Sequence, residues 1–330
     1  MKQFRLFIAA ALCLAAVAAC GNRQEKVSTV YFTTEITPES LVKIYEAVGR
    51  PATGRVAIKI STGEMGGNNY LKPELIAPLV QKTNGTIVEC NTAYGGSRAS
   101  TEVHKETIRA HGFYDVAEVD IMDEEGEFQI PVKDDKWIKY DIVGSHLKNY
   151  DFMINLAHFK GHAMGGFGGV LKNASIGVAS PNGKVYIHSA GAYDKASADG
   201  DLHAPEGWQE SPEKNTPFVE AMAAAAQAVH DFFGNGERIL YIDVMNNISI
   251  DCDCDSHPAD PTIQDIGIAA STDPVALDKF CLDQVFNLPN DEHNDTKALL
   301  ERINARHGIR IVDRGEEIGL GTKKYTVVKL

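Results

Sequence analysis

Short apolar or β-branched runs alternate with amphipathic stretches along most of the chain, a pattern of buried strands covered by helices. Strand-like segments fall at Thr29–Thr34, Arg55–Ile60, Thr86–Cys90, Asp151–Leu156 and Arg238–Val244. Helical patterns occupy Pro38–Val48, Pro73–Thr83, Thr101–His111 and Pro217–Phe233, and two more at Pro274–Val285 and Asp295–His307 precede short terminal strands. Pro38, Pro73 and Pro274 suit first helical turns, where a missing amide hydrogen costs nothing, and Gly112 and Gly234 suit helix ends. Gly126 to Tyr140 reads as a polar hairpin outside the main sheet. The expected fold is α/β: a mixed, mainly parallel sheet flanked by helices, built as one domain over residues 28–330 or as two closely packed lobes.

The N-terminus departs from this pattern. Lys2 and Arg5 precede an apolar run from Leu6 to Ala19, which is too short to span a bilayer as a mature helix and ends at Val17-Ala18-Ala19-Cys20. Residues 1–19 therefore read as a signal peptide. The ending resembles a bacterial lipobox, which implies that Cys20 is diacylated and that residues 20–27 form a tether in the cell envelope, outside the cytoplasm. No later run reaches the roughly 20 apolar residues of a membrane-spanning helix, so the lipid is the expected membrane contact. A net charge of −13 and a pI near 5.3 argue against a nucleic-acid partner, which needs a basic stripe. Beyond the leader the thiols are Cys90, Cys252, Cys254 and Cys281, too few for a disulfide scaffold.

Three loops that follow strands carry the candidate chemistry. Residues 250–260 hold two thiols, four carboxylates and an imidazole, namely Asp251, Cys252, Asp253, Cys254, Asp255, His257 and Asp260. Soft sulfur donors beside an imidazole suit zinc or iron better than magnesium or calcium. In extended backbone Cys252 and Cys254 would face one way and the aspartates the other, free to hold histidines behind the metal. The second loop, His158 to Asn173, offers His158 and His162 as further metal ligands, and four glycines within five residues, Gly165, Gly166, Gly168 and Gly169, let backbone approach a ligand closely. Lys172 and Asn173 close that loop, and Arg98 closes the glycine-containing loop Cys90–Arg98; these groups would hold a small anionic molecule. Catalytic roles would fall to His158, His162, Lys160 and Asp253. Asp273 and Pro274 mark the entry of a helix carrying Asp278.

Four segments together, Cys90-Asn91-Thr92-Ala93-Tyr94, His158 to Asn173, Asp251-Cys252-Asp253-Cys254 and Asp265-Ile266-Gly267 with Asp273-Pro274-Val275-Ala276, resemble a bacterial and archaeal family known only as domain of unknown function 362. The resemblance implies an α/β fold and an association with iron-sulfur proteins, but no established reaction. Relatives often carry a ferredoxin-like segment with clustered cysteines. This chain has no Cys-x-x-Cys-x-x-Cys run, so an iron-sulfur cluster would have to recruit Cys90, Cys252, Cys254 and Cys281 from separate regions, and spacing does not indicate one. The expectation is a lipid-anchored, metal-dependent enzyme acting on a small anionic substrate, with an oxidoreductase favoured by the family's electron-transfer associations. The alternative is a lipoprotein that binds a metal or ligand without catalysis.

Overall fold

A computed structural model describes residues 26–330; the signal segment, Cys20 and most of the tether lie outside the described residues. The chain opens with β1 (Ser28–Thr33), α1 (Pro38–Ala47), β2 (Val56–Lys59), α2 (Pro73–Thr83), β3 (Thr86–Glu89), α3 (Thr101–Ala110) and β4 (Val119–Ile121). A separate hairpin, β5 (Glu127–Pro131) and β6 (Tyr140–Gly144), precedes β7 (Phe152–His158), a second small hairpin β8 (Lys160–His162) and β9 (Gly166–Gly168), then α4 (Val170–Ser175) and α5 (Pro181–His188). The rest is α6 (Pro212–Phe232), β10 (Ile239–Met245), β11 (Gly267–Ser271), α7 (Pro274–Asn287), α8 (Lys297–Ala305), α9 (Arg310–Glu317) and β12 (Tyr325–Lys329).

Eight strands form one sheet in the order β12-β1-β11-β10-β7-β2-β3-β4. All neighbours pair in parallel except those of β11, which runs against both β10 and β1. Strand alternation explains the two cores. Val56, Ile58, Ile154, Leu156, Leu240 and Ile242 meet Leu41, Ile44, Ile76 and Leu79 of α1 and α2 on one face. Ala57, Met153, Ala157, Ile239 and Tyr241 meet apolar side chains of α4, α6 and α7 on the other. This second face also carries the buried polar residues Lys59, Asn155 and Asp243, and a polar residue on a buried strand face must be satisfied by what covers it. What covers Lys59 and Asn155 is α4.

Caps fix the helix starts. The side-chain oxygens of Thr37 and Ser40 each accept from the other's backbone amide at the head of α1, and Asp273 Oδ1 accepts from the amides of Val275 and Ala276 at 3.0 and 3.1 Å at the head of α7. Two expectations are corrected. The long helix begins at Pro212, capped by Ser211, rather than at Pro217, which lies inside it; of two prolines able to start a helix, the one behind a serine cap does so. Residues 310–317 form α9, so one strand, β12, closes the described chain where short terminal strands were expected.

The chain builds outward from β2 through β3 to β4 and then returns to place β7 on the other side of β2. Connections from β2 and β7 therefore diverge, and a crevice opens beyond the carboxyl ends of these two strands. Lys59, the last residue of β2, pairs in register with Asn155 of β7. The candidate chemistry gathers just beyond them.

Candidate metal centre in a lysine-lined cavity

A cavity of about 220 Å³ lies at this crevice, with walls that include Lys59, Glu89, Cys90, Arg98, Lys160, His162, Lys172, Lys184, Cys252 and Cys254. Segments some ninety positions apart meet here. His162, Cys252 and Cys254 each offer a ligand atom, and these atoms lie within 4.8 Å of one another. A second, more superficial cleft shares Tyr94, Ala163, Cys252 and Cys254 and continues to Asp251 and Asp255, so the thiols stand in the partition between interior and surface.

The cysteine segment is a loop, as expected, but a turn and not extended backbone. The Asp255 amide donates to the Cys252 carbonyl at 2.9 Å, and the Cys254 amide donates to Cys252 Sγ at 3.4 Å. Asp253 nevertheless points away from the sulfurs, as alternation implied. Its Oδ1 meets His158 Nδ1 at 2.8 Å and its Oδ2 meets Lys160 Nζ at 2.8 Å. Burial would raise the Asp253 carboxyl, but the facing His158 and Lys160 outweigh it and hold the group at about 2. Lys160 balances likewise: burial lowers it and Asp253 raises it, with a net upward shift.

His158 is the main correction. It was expected to bind metal, yet its Nε2 lies 2.6 Å from the Asn246 carbonyl while Nδ1 takes Asp253. With both nitrogens committed to oxygen acceptors, no lone pair faces a cation. His158 lines the cavity with both nitrogens already engaged, and Asp253, behind it, fixes Lys160 and the cysteine turn.

His162 is placed by the β8–β9 hairpin, whose turn sends the Gly165 and Met164 amides to its Nδ1 at 2.8 and 3.2 Å. Nδ1 therefore accepts, and Nε2 carries the hydrogen and faces Cys252. Burial, helped by Lys172, pushes the ring down to about 4. A hydrogen bond from Cys254 holds the Cys252 thiol well below its ordinary value despite burial, and the same bond together with burial pushes Cys254 well above it. One thiolate stabilised by a neighbouring thiol and an imidazole is the state this geometry favours.

The predicted anion-binding groups separate in the structure. Gly168, Gly169, Lys172 and Asn173 line the cavity. Gly165 and Gly166 do not: Gly166, at φ +81°, packs against Gly308 and Ile303, where an added Cβ would lie 3.0 to 3.2 Å from their atoms. Arg98 lines the wall, but its Nε lies 3.1 Å from Glu64 and its Nη1 3.6 Å from Glu89, so its charge is already balanced. Asn173 is spent on structure, donating to the Lys59 carbonyl at 3.0 Å and to Asn155 Oδ1 at 2.7 Å, and accepting from Lys59 Nζ at 3.2 Å. Among the described residues Lys172 has no carboxylate partner and remains a free cation for a ligand.

Lys59, Glu89, Lys184 and His188 line the same cavity and escaped the sequence reading. Lys59 Nζ and Glu89 Oε2 lie 2.8 Å apart, both nearly fully buried; burial raises Glu89, but Lys59 and Arg98 win and hold it at about 2. Their signal was available: Val56-Ala57-Ile58-Lys59 and Thr86-Ile87-Val88-Glu89 are apolar strands ending in opposite charges. The four thiols do not converge. Cys281 is fully buried with its Sγ 3.6 Å from Asp243 Oδ2 in the core, away from the cavity wall.

The family described as "Domain of unknown function (DUF362)" matches residues 56–283, the stretch holding every residue of the cavity named above. No curated protein matches the chain. Among solved structures the chain is similar to the lactate racemase apoprotein from Thermoanaerobacterium thermosaccharolyticum, at 13% identity and a TM-score of 0.40, over 77% of this chain and 56% of that one. It is also similar to a protein from Thermotoga maritima, at 11% identity and a TM-score of 0.42, over 72% and 55% of the respective chains. The chain spans just over half the length of either structure, and neither likeness bears on the chemistry of the cavity.

Proposed function

The chain belongs to the family described as a domain of unknown function (DUF362), and from that premise we propose that it is a lipid-anchored, extracytoplasmic enzyme that uses one metal ion, zinc or iron, on a small anionic substrate. The observation that carries this reading is the convergence of His162, Cys252 and Cys254 within 4.8 Å at the wall of a cavity rich in lysine. Three protein donors leave the fourth position of a tetrahedral cation open to water or substrate. Lys172 supplies the unbalanced positive charge for the anion, while Lys160, already paired with Asp253, shapes the wall. Because the Cys254 sulfur holds a proton that a cation must displace, metal binding releases a proton and tightens as pH rises.

Metal analysis of protein purified without oxygen tests this. The expected result is close to one equivalent of zinc or iron per chain, lost in Cys252→Ser and Cys254→Ser. Protein that stays metal-free after incubation with zinc and with ferrous iron rejects the metal. One feature favours a second reading for that outcome: the Gly165 and Met164 amides already occupy His162 Nδ1, the nitrogen that would carry hydrogen in a neutral, metal-bound imidazole. In that reading the pair is a redox dithiol. Cys252 attacks a substrate disulfide and releases one thiol; Cys254 then attacks the mixed disulfide, releasing the second thiol and closing a Cys252–Cys254 bond. The turn, unlike extended backbone, brings these sulfurs close enough for that ring.

The anchor is tested by fractionation. Cys20→Ser is expected to move the protein from the membrane to the soluble fraction, and unchanged membrane retention would discard the lipid anchor. No described helix is long and apolar enough to cross a membrane.

A further inference from the structure

Five cationic side chains line the cavity, and four have an evident role. Lys59 pairs with Glu89, Arg98 with Glu64 and Glu89, and Lys160 with Asp253, while Lys172 is half-buried and free for an anion. Lys184 fits neither group. It is 5% exposed, it lines the cavity, and its Nζ donates to the Ala179 carbonyl at 2.5 Å. Among the described residues no carboxylate lies within ion-pair distance of it.

The surroundings deepen the contrast. Asp141 is fully buried and neither of its carboxyl oxygens has a hydrogen-bond partner among the described residues. Burial pushes that group up to about 7 against the pull of Lys184, so it is protonated in a large share of the chains at neutral pH and is only a partial counter-charge. The nearby titratable groups are Cys90, Asp123, Lys59 and Glu89; Glu89 is saturated by Lys59, Arg98 and Thr62, and Asp123 by Asn91. An unpaired buried ammonium costs several kcal/mol, and the direct relief is loss of its proton. Burial accordingly lowers Lys184 despite the opposing pull of Cys90 and Asp123.

We propose that the Lys184 amine is a nucleophile for an anionic carbonyl compound, such as a 2-oxo acid or an aldehyde acid, held in the cavity with its carboxylate toward Lys172. The amine lone pair adds to the carbonyl carbon to give a carbinolamine. The carbonyl oxygen then leaves as water, taking both amine hydrogens, and an imine joins Nζ to the substrate carbon. The hydrogen bond to the Ala179 carbonyl orients the amine without charging it. This deepens the anionic-substrate reading only in its choice of ligand and owes nothing to the metal, because imine formation needs no cation.

The test is reductive trapping on the full chain. Protein is incubated with glyoxylate or with acetaldehyde, each with cyanoborohydride, at pH 7, and the alkylated lysines are mapped by peptide mass spectrometry. Glyoxylate should label Lys184 at least ten-fold above the exposed Lys195, and acetaldehyde should label it several-fold less than glyoxylate does. Labelling of Lys184 no greater than that of Lys195, or concentrated on Lys172, overturns the proposal; equal labelling by the two aldehydes overturns its anionic part. Lys184→Met should remove the main adduct while metal content stays as in the parent chain, which separates failure here from failure of the metal reading. Should that variant not fold, the map of the parent chain still decides the question.

Discussion

At the residue scale, the buried carboxyl groups divide by what faces them. Asp253 is held at about 2, below its usual 3.8, by His158 and Lys160. The folded chain thus binds fewer protons there than the unfolded one, and the stability contributed is full above about pH 4 and lost as pH falls through 2. Asp253→Asn should cost about 3–5 kcal/mol in urea unfolding at neutral pH, because the Lys160 ammonium is left buried without its counter-charge; the gap to the parent chain should narrow below pH 3. Asp141 is the opposite case, raised to about 7 by burial. Here the folded chain keeps a proton that the unfolded chain releases, so stability declines as pH climbs from about 4 to about 7. Asp141→Asn should remove that decline and be more stable than the parent at pH 8 by on the order of 2–4 kcal/mol, as read from unfolding midpoints across pH.

At the element scale, the short helix α4 and the β8–β9 hairpin hold the site together. Asp278, from α7, accepts from the Val170 and Leu171 amides at 2.9 and 3.1 Å and thereby caps α4 from another helix. Gly161 of β8 donates to the Ser249 carbonyl at 2.8 Å, and a Cβ there would lie 2.1 Å from the Ile250 carbonyl oxygen. Gly161→Ala should therefore push the cysteine turn off the hairpin, with a stability loss of about 1–3 kcal/mol and at least a ten-fold loss of metal affinity by chelator competition. Unchanged affinity would mean that the turn holds its position without this contact. Most elements were legible from period and punctuation: Pro38 and Pro73 start helices, and buried runs such as Asp151–Leu156 became strands. The hairpin and α4 were hidden because glycine-rich sequence carries no hydrophobic period. The assignment of ligands was half legible: local spacing marks Cys252 and Cys254 but cannot say which of two histidines turns toward them. That choice depends on Asn246 and on amides 164 and 165, which only the fold brings near.

At the scale of the whole molecule, the site and the sheet edge are far apart in strand order. The site lies between β2 and β7, whereas β12 pairs only with β1 at the opposite margin. Deleting residues 325–330 should lower the thermal midpoint, at a cost of about 1–3 kcal/mol, yet leave metal stoichiometry and Lys184 trapping at parental levels. A parallel loss of both would show that the margin and the crevice unfold as one unit. The reversal of β11 has its own outcome. Had β11 run parallel to β10, the intervening chain would have had to travel back along the sheet, usually as a helix. Running the other way, it frees residues 246–266 to leave and re-enter the sheet at one end. That makes them an exchangeable cassette, through which descendants of this scaffold can trade one set of donor atoms for another with the strands beneath left undisturbed.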